Sequence, residues 1–150
     1  MTDPKSDDLS DGELTEHYVV AVAAAVFRQG RVLAMRRSAT RDAGPGLWET
    51  LSGRLRLGED PAVAVAREIA EECGLRVRVH RQPVTAYQAT RAGEPMVVIV
   101  YRADAVSGEV RRTPEHDAHA WLTPDEFAST STLTPLVQAV YAAAALEAAE

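Results

Sequence analysis

Four charged side chains crowd one stretch of this chain: Arg67, Glu68, Glu71 and Glu72. Glu68 and Glu72 are four apart, and Glu68 and Glu71 three apart, so on a helix the carboxylates are neighbours. Like charges at that spacing repel by a few tenths of a kcal/mol per pair, roughly. Arg67 offsets part of this through Glu71, four residues on. Two chemistries suit such a face. One is plain solvation, which three glutamates taken alone favour. The other is a site for a hard divalent cation, which takes oxygen ligands and would turn the repulsion into attraction. Glu59 and Asp60 precede the helix, and Gly53 and Gly58 in that segment let backbone approach a ligand closely.

These groups need elements to hold them. Asp60-Pro61 reads as an N-cap followed by proline at the first helical position, and Gly74 as a C-terminal glycine, which sets a helix over Ala62 to Cys73. At 100° per residue, Ala62, Ala66, Ile69 and Cys73 form its core face, with Val65 at the border. Glu68, Glu71 and Glu72 lie opposite, with Ala64 among them. Upstream, His17 to Phe27 is Val- and Ala-rich without polar interruption, a strand buried on both faces. Gln29-Gly30 turns it into a second strand, Arg31 to Met35. Ser38 to Gly46 and Ser52 to Glu59 read as loops around a short extended segment, Leu47 to Leu51. Strands follow at Leu75 to Val79, Thr85 to Thr90, Pro95 to Ala105 and His119 to Leu122. A short helix runs from Thr123-Pro124 to about Ala128, and a last one from about Thr134 to Ala148. Strands, helix, strands and helices in this order predict an α/β fold with a mixed sheet between helices.

The segment from Gly53 to Leu75 resembles the signature of the Nudix hydrolases. Gly53, Glu59, Arg67, Glu68, Ile69, Glu71, Glu72, Gly74 and Leu75 all match at the signature's fixed spacing. The hairpin before it, the G-L-W-E segment leading in, the W-L-T-P-D-E-F segment after it and the C-terminal helix extend the resemblance to most of the chain from about His17 onward. It implies an α/β/α sandwich that binds Mg²⁺ or Mn²⁺ and cleaves a diphosphate linkage in a nucleoside diphosphate derivative. It further implies Glu68, Glu71 and Glu72 as metal ligands. Arg67 would orient a glutamate by ion pairing, with Glu59 its partner or a second base. Two positions depart from the common form: Ser52 stands where a second glycine is frequent, and Arg56 where an acid is.

Other residues join the candidate list by position. Glu115, six residues before Trp121, is either an ordinary loop acid or, by resemblance, an extra metal ligand or the catalytic base. His116 and His119 read as solvated loop histidines rather than a two-histidine metal site. Arg36 and Arg37 end the second strand; alternation points one toward the substrate side of the sheet and the other away. An arginine here resembles those that clamp substrate phosphate. Gly53, Arg54 and Trp48 complete the substrate-binding candidates, although strand aromatics such as Trp48, Tyr87 and Tyr101 are more often core. Arg56, Arg91 and Arg102 are weaker candidates. Cys73, on the core face, reads as a small buried apolar residue.

Composition trims the function classes. The 150 residues suit one domain. The formal charge of -6 argues against coating duplex nucleic acid, though not against a nucleotide. Much of that charge sits in Met1 to Glu16, with six acids and one lysine; the rest carries 16 acids against 15 arginines. Met1 to Glu16 therefore reads as a flexible acidic tail before a domain over 17–150. One cysteine allows neither an internal disulfide nor a cysteine-based zinc site. No apolar run is long enough to span a bilayer and the start resembles no signal peptide, so the expectation is cytoplasmic, without a membrane partner. Family members are often dimers; nothing in the sequence decides on a homodimer. Signature positions of the ADP-ribose, dinucleoside polyphosphate, NADH and coenzyme A subtypes are unmatched, which leaves a nucleoside triphosphate pyrophosphohydrolase by elimination. The alternative from another class is a Nudix-fold nucleotide-binding or regulatory module without catalysis; the complete set Arg67, Glu68, Glu71 and Glu72 argues against it.

Overall fold

The computed structural model describes residues 17–40 and 44–146. The acidic tail expected over Met1 to Glu16 lies outside them, as do residues 147–150. The described residues form an eight-stranded mixed sheet with helices on both faces.

Strand β1 (Val19–Arg28) runs through the middle and pairs in parallel with β7 (Glu94–Ser107) over Val19 to Phe27. At its far end β1 turns back into β2 (Arg31–Arg37), and near its start it pairs with β4 (Leu51–Arg54). Between them, β3 (Trp48–Glu49) pairs with β2. Two strands thus share one edge of β1 and part from each other, so residues 49–53 line an opening in the sheet. β5 (Arg76–Val79) and β6 (Thr85–Arg91) divide the other edge of β7 in the same way, and β8 (His116–Leu122) pairs with β2.

The period of two along β1 builds both layers. Val22, Ala24 and Val26 face helix α1 (Pro61–Cys73), packing with Val65, Ile69 and Cys73. Ala25 and Phe27 face the opposite layer, where α2 (Pro124–Thr130) supplies Phe127 and α3 (Thr134–Ala144) supplies Leu136, Val140 and Ala143. This is an α/β/α sandwich. The many alanines of β1 let helices approach the sheet closely on either side.

The helix limits follow from their caps. Asp60 Oδ1 accepts from Ala62 N at 2.9 Å, and Gly74 takes the left-handed conformation (φ 77°) that ends α1. Thr123 and Glu126 form a reciprocal capping box on α2. At the end of α3, Arg102 of β7 donates to the carbonyls of Ala143 (2.9 Å) and Leu146 (2.6 Å). No helix among the described residues is long and apolar enough to cross a membrane.

Four expectations need correction. Ala64, placed on the exposed side of the wheel, is fully buried, whereas Ala66 is only half-buried. Helix α1 packs against β1, β4 and β5 together, so the side bearing Ala64 and Glu68 faces β4 rather than water. Ser52 to Arg54, read as loop, is strand β4, because Ser52 and Gly53 pair with Ala23 and Val22. β8 begins at His116 rather than His119. The last helix, expected to reach Ala148, ends at Ala144.

Candidate functional site

The acidic helix meets the sheet at Gly53. A Cβ built there would overlap the Glu68 carboxyl group, so the bare backbone of β4 leaves the space that this carboxylate occupies. Through that gap Glu68 and Glu72 reach a cleft of about 830 Å³ on the α3 side of the sheet. Its floor is small and apolar, with Ala21, Ala23, Met96 and Val98. Gly53, Arg54, Arg37, Arg91 and Tyr87 border it, and Glu115 stands on its rim.

Arg67 organises the acids from behind. Its Nε donates to Glu59 Oε2 at 2.6 Å and its Nη2 to Glu59 Oε1 at 2.8 Å, a bidentate pair. Its Nη1 donates to Glu68 Oε1 at 2.8 Å and Glu71 Oε2 at 3.3 Å. These side chains are largely shielded, at 17% exposure for Arg67, 13% for Glu59 and 15% for Glu68. The hydrogen bonds from Arg67 hold the Glu59 carboxyl at about 2, well below its ordinary value, and the same bonds raise the Arg67 guanidinium. Glu71 is half exposed and also lies 3.5 Å from Arg56 Nη2.

A second polar cluster forms the cleft wall away from the helix. Glu49 of β3 takes Arg37 Nη2 on Oε1 at 2.8 Å and His116 Nε2 on Oε2 at 2.9 Å. All three are buried. Burial pushes the Glu49 carboxyl up, but hydrogen bonds and charge from His116 and Arg37 outweigh it, and the net shift is downward. Glu115, one residue before His116, keeps an exposed side chain; its carbonyl accepts from Ser38 N at 2.9 Å.

The structure gathers six of the expected residues at this cleft: Glu68, Glu72, Glu115, Arg37, Gly53 and Arg54. Glu59, Arg67 and Glu71 lie behind them as a paired network. Two of the substrate-binding candidates, Arg36 and Trp48, do not line the cleft. Arg36 points out of the sheet, where its Nε donates to Asp117 at 2.7 Å and its guanidinium lies 5.9 Å from the Trp48 ring. Trp48 packs beside Phe127 and Leu136 under the helices, because alternation on so short a strand sends it opposite to Glu49. His116, expected as a solvated loop residue, is a buried strand residue. Tyr101 and Cys73 are core, and burial raises the Cys73 thiol. Arg102 lies under α3, away from the cleft. The sequence reading missed Glu49; its signal was a lone acid between two apolar-flanked strand positions, where a buried acid needs partners.

Glu68, Glu71 and Glu72 offer oxygen donors only, the set a hard divalent cation takes. The Glu72 Oε2 is shielded from solvent beside the cleft. As placed, no three acids or histidines among the described residues converge into a metal cage. Arg67 takes oxygens of Glu68 and Glu71, so a cation at this face competes with its guanidinium. The donor chemistry fits Mg²⁺ or Mn²⁺ bound through few protein ligands.

The mixed sheet between helices, open at Gly53 toward the acidic face of α1, defines an α/β/α domain with a carboxylate-lined cleft. The chain belongs to the Nudix hydrolase family: the family model described as NUDIX domain matches residues 17–143. It is 43% identical over 108 residues to a MutT-like protein of Streptomyces ambofaciens, covering 71% of this chain and 65% of that one. It is 30% identical over 108 residues to the CTP pyrophosphohydrolase of Escherichia coli, covering 72% of this chain and 78% of that one. An Octanoyltransferase of Myxococcus xanthus is 36% identical over 107 residues, covering 69% of this chain and 29% of that protein. The chain thus spans less than two thirds of the Streptomyces and Myxococcus relatives. Among solved structures, the MutT protein of Methanosarcina mazei Go1 shares the fold, with a TM-score of 0.75 and 22% identity over 87% of this chain and 96% of that one.

Proposed function

We propose that this chain is a divalent-cation-dependent hydrolase of a diphosphate linkage in a nucleoside di- or triphosphate derivative, of the nucleoside triphosphate pyrophosphohydrolase kind. The reading includes a cytoplasmic location for the protein and a small-molecule nucleotide substrate. The observation that carries it is the meeting of Glu68 and Glu72 from α1 with Glu115, Arg37 and Arg54 around one cleft. The relationship to the E. coli CTP pyrophosphohydrolase supports this substrate class.

Glu68, Glu71 and Glu72 would hold Mg²⁺ or Mn²⁺, with Glu115 a further ligand or the base. Bound there, the ion would neutralise phosphate charge and acidify water. The protein's own part is positioning and electrostatics, which dominate phosphoryl transfer. Arg37 and Arg54 draw the phosphates to the cleft. The apolar floor of Ala21, Ala23, Met96 and Val98 offers a surface for a base to lie on. Glu59 fixes Arg67, which in turn fixes the side chains of Glu68 and Glu71. In the role of base, Glu115 at the rim would take the proton from the attacking water.

The test is a turnover screen with Mg²⁺ over nucleoside triphosphates, sugar nucleotides, ADP-ribose and oxidised nucleotides. Activity is expected to vanish with a chelator, return with Mg²⁺, and fall by at least about 10²-fold in Glu71→Gln. No turnover of any compound, while Mn²⁺ and nucleotide still bind, would establish the binding-module alternative. Undiminished turnover by Glu71→Gln would overturn the site.

A further inference from the structure

We propose that His116 is a positioning residue for Glu115: its buried bond to Glu49 pins the start of β8 so that Glu115 stands at the cleft rim. The inference rests on the hydrolase reading, in which Glu115 acts at the cleft.

The carboxylate of Glu115 makes no hydrogen bond or ion pair among the described residues. What the fold fixes is the backbone that carries it to the rim. That backbone is held on one side by Ser38, whose N donates to Glu115 O at 2.9 Å and whose Oγ donates to Pro114 O at 2.6 Å. On the other side the anchor is His116, 2% exposed and 2.9 Å from Glu49. The register explains how His116 reaches inward. Arg37 pairs with His116 but Arg36 pairs with Ala118, so Asp117 is an extra residue in β8. Such a bulge re-aims the side chains on either side of it, and bulges are enriched beside active sites. Here His116 turns in to Glu49, and Asp117 turns out to Arg36 at 2.7 Å.

The pin is costly as a stabilising device. A carboxylate, a guanidinium and an imidazole all lose water on burial, and apolar residues of similar volume would stabilise as well. What the cluster supplies is a fixed geometry linking β2, β3 and β8 on one wall of the cleft. Arg37 satisfies Glu49 Oε1; His116 satisfies Oε2.

The test uses the full chain and three substitutions. His116→Leu removes the donor, His116→Gln keeps an N–H within reach of the Nε2 position, and Glu115→Gln removes the rim charge. By hydrogen exchange, the amides of 113 and 115–117 should open about tenfold faster in His116→Leu, with β1 unchanged, and recover in His116→Gln. On the best nucleotide from the screen, His116→Leu should lower kcat about tenfold with KM changed less than about threefold, and His116→Gln should restore it. In the Glu115→Gln background the same substitution should cost less than about twofold, since coupled residues are not additive. If His116→Leu does not fold, His116→Thr, too short to reach Glu49, takes its place. Unchanged exchange at 113 and 115–117 would overturn the pin. A full tenfold loss persisting in Glu115→Gln would overturn its link to Glu115. If the wild-type protein turns over no nucleotide, the hydrolase reading fails and the exchange result alone decides whether the pin exists.

Discussion

Gly53 and Glu68 share one space: the carboxyl group of Glu68 fills the position a side chain on residue 53 would take. The conflicting atoms are the mobile end of a glutamate, so Gly53→Ala can be accommodated by moving Glu68 rather than the backbone. Stability should fall only toward the low end of the ~1–3 kcal/mol usual for overpacking. Turnover should fall at least about tenfold, because the displaced carboxylate leaves the gap into the cleft. Thermal unfolding and kcat measured on the same preparation check this. A variant with unchanged kcat would show that Glu68 works from elsewhere.

In the proposed metal site, Arg56 would compete with a cation for Glu71. The pair is long, at 3.5 Å, and exposed at 64% and 51%. Such pairs contribute ~0.2–1 kcal/mol. Releasing Glu71 in Arg56→Ala should therefore tighten Mn²⁺ binding by no more than about fivefold, and Arg56→Glu should tighten it further. Titration of Mn²⁺ at low and high salt reads the effect, which should shrink as salt rises. Weaker binding in Arg56→Ala would mean that Arg56 supports the acidic face.

The sandwich and the acidic helix were legible because their signals are local: the Asp60-Pro61 start, the Gly74 stop and the uninterrupted β1. Which side of α1 faces protein was not. A wheel ranks residues by hydrophobicity and sees one partner surface, while α1 rests on three strands and buries Ala64 beside its carboxylates. Arg36, Trp48 and Glu49 show the same limit. Alternation says that neighbours point opposite ways, but only the pairing of β2 with β3 fixes which way is inward. His116 was hidden for another reason: its inward turn depends on the bulge at Asp117, and an extra residue in one strand shows only against its partner.

Glu59 gives acid sensitivity a definite sign. Arg67 holds its folded carboxyl at about 2, against an ordinary value of 4.5. The unfolded chain therefore takes up this proton first as pH falls, and folding loses stability. The contribution is whole above the unfolded value and gone once pH falls through the folded one. The gap in Tm between the wild-type protein and Glu59→Gln should be constant above about pH 5.5 and close toward about pH 2. Thermal unfolding across this range measures it. A gap independent of pH would show that Glu59 contributes by shape rather than by charge.

Arg102 closes the end of α3 from inside the fold. Its Nη1 donates to Ala143 O and Leu146 O, its Nη2 donates to Asp104 Oδ1 at 2.9 Å, and its guanidinium lies 4.6 Å from the Phe27 ring. Charge-assisted bonds of this kind contribute ~1.5–3 kcal/mol each, and Asp104 retains His80 at 3.2 Å when the arginine is lost. Arg102→Met, close in volume and apolar, should therefore cost about 2–4 kcal/mol, read as a lower urea midpoint. Arg102→Lys should recover only part of it, because a single ammonium cannot span two carbonyls and a carboxylate from a flat fork. Arg102 does not line the cleft. kcat/KM below the melting range should then match the wild-type value, and a variant that lost activity at full folding would place Arg102 in the site after all.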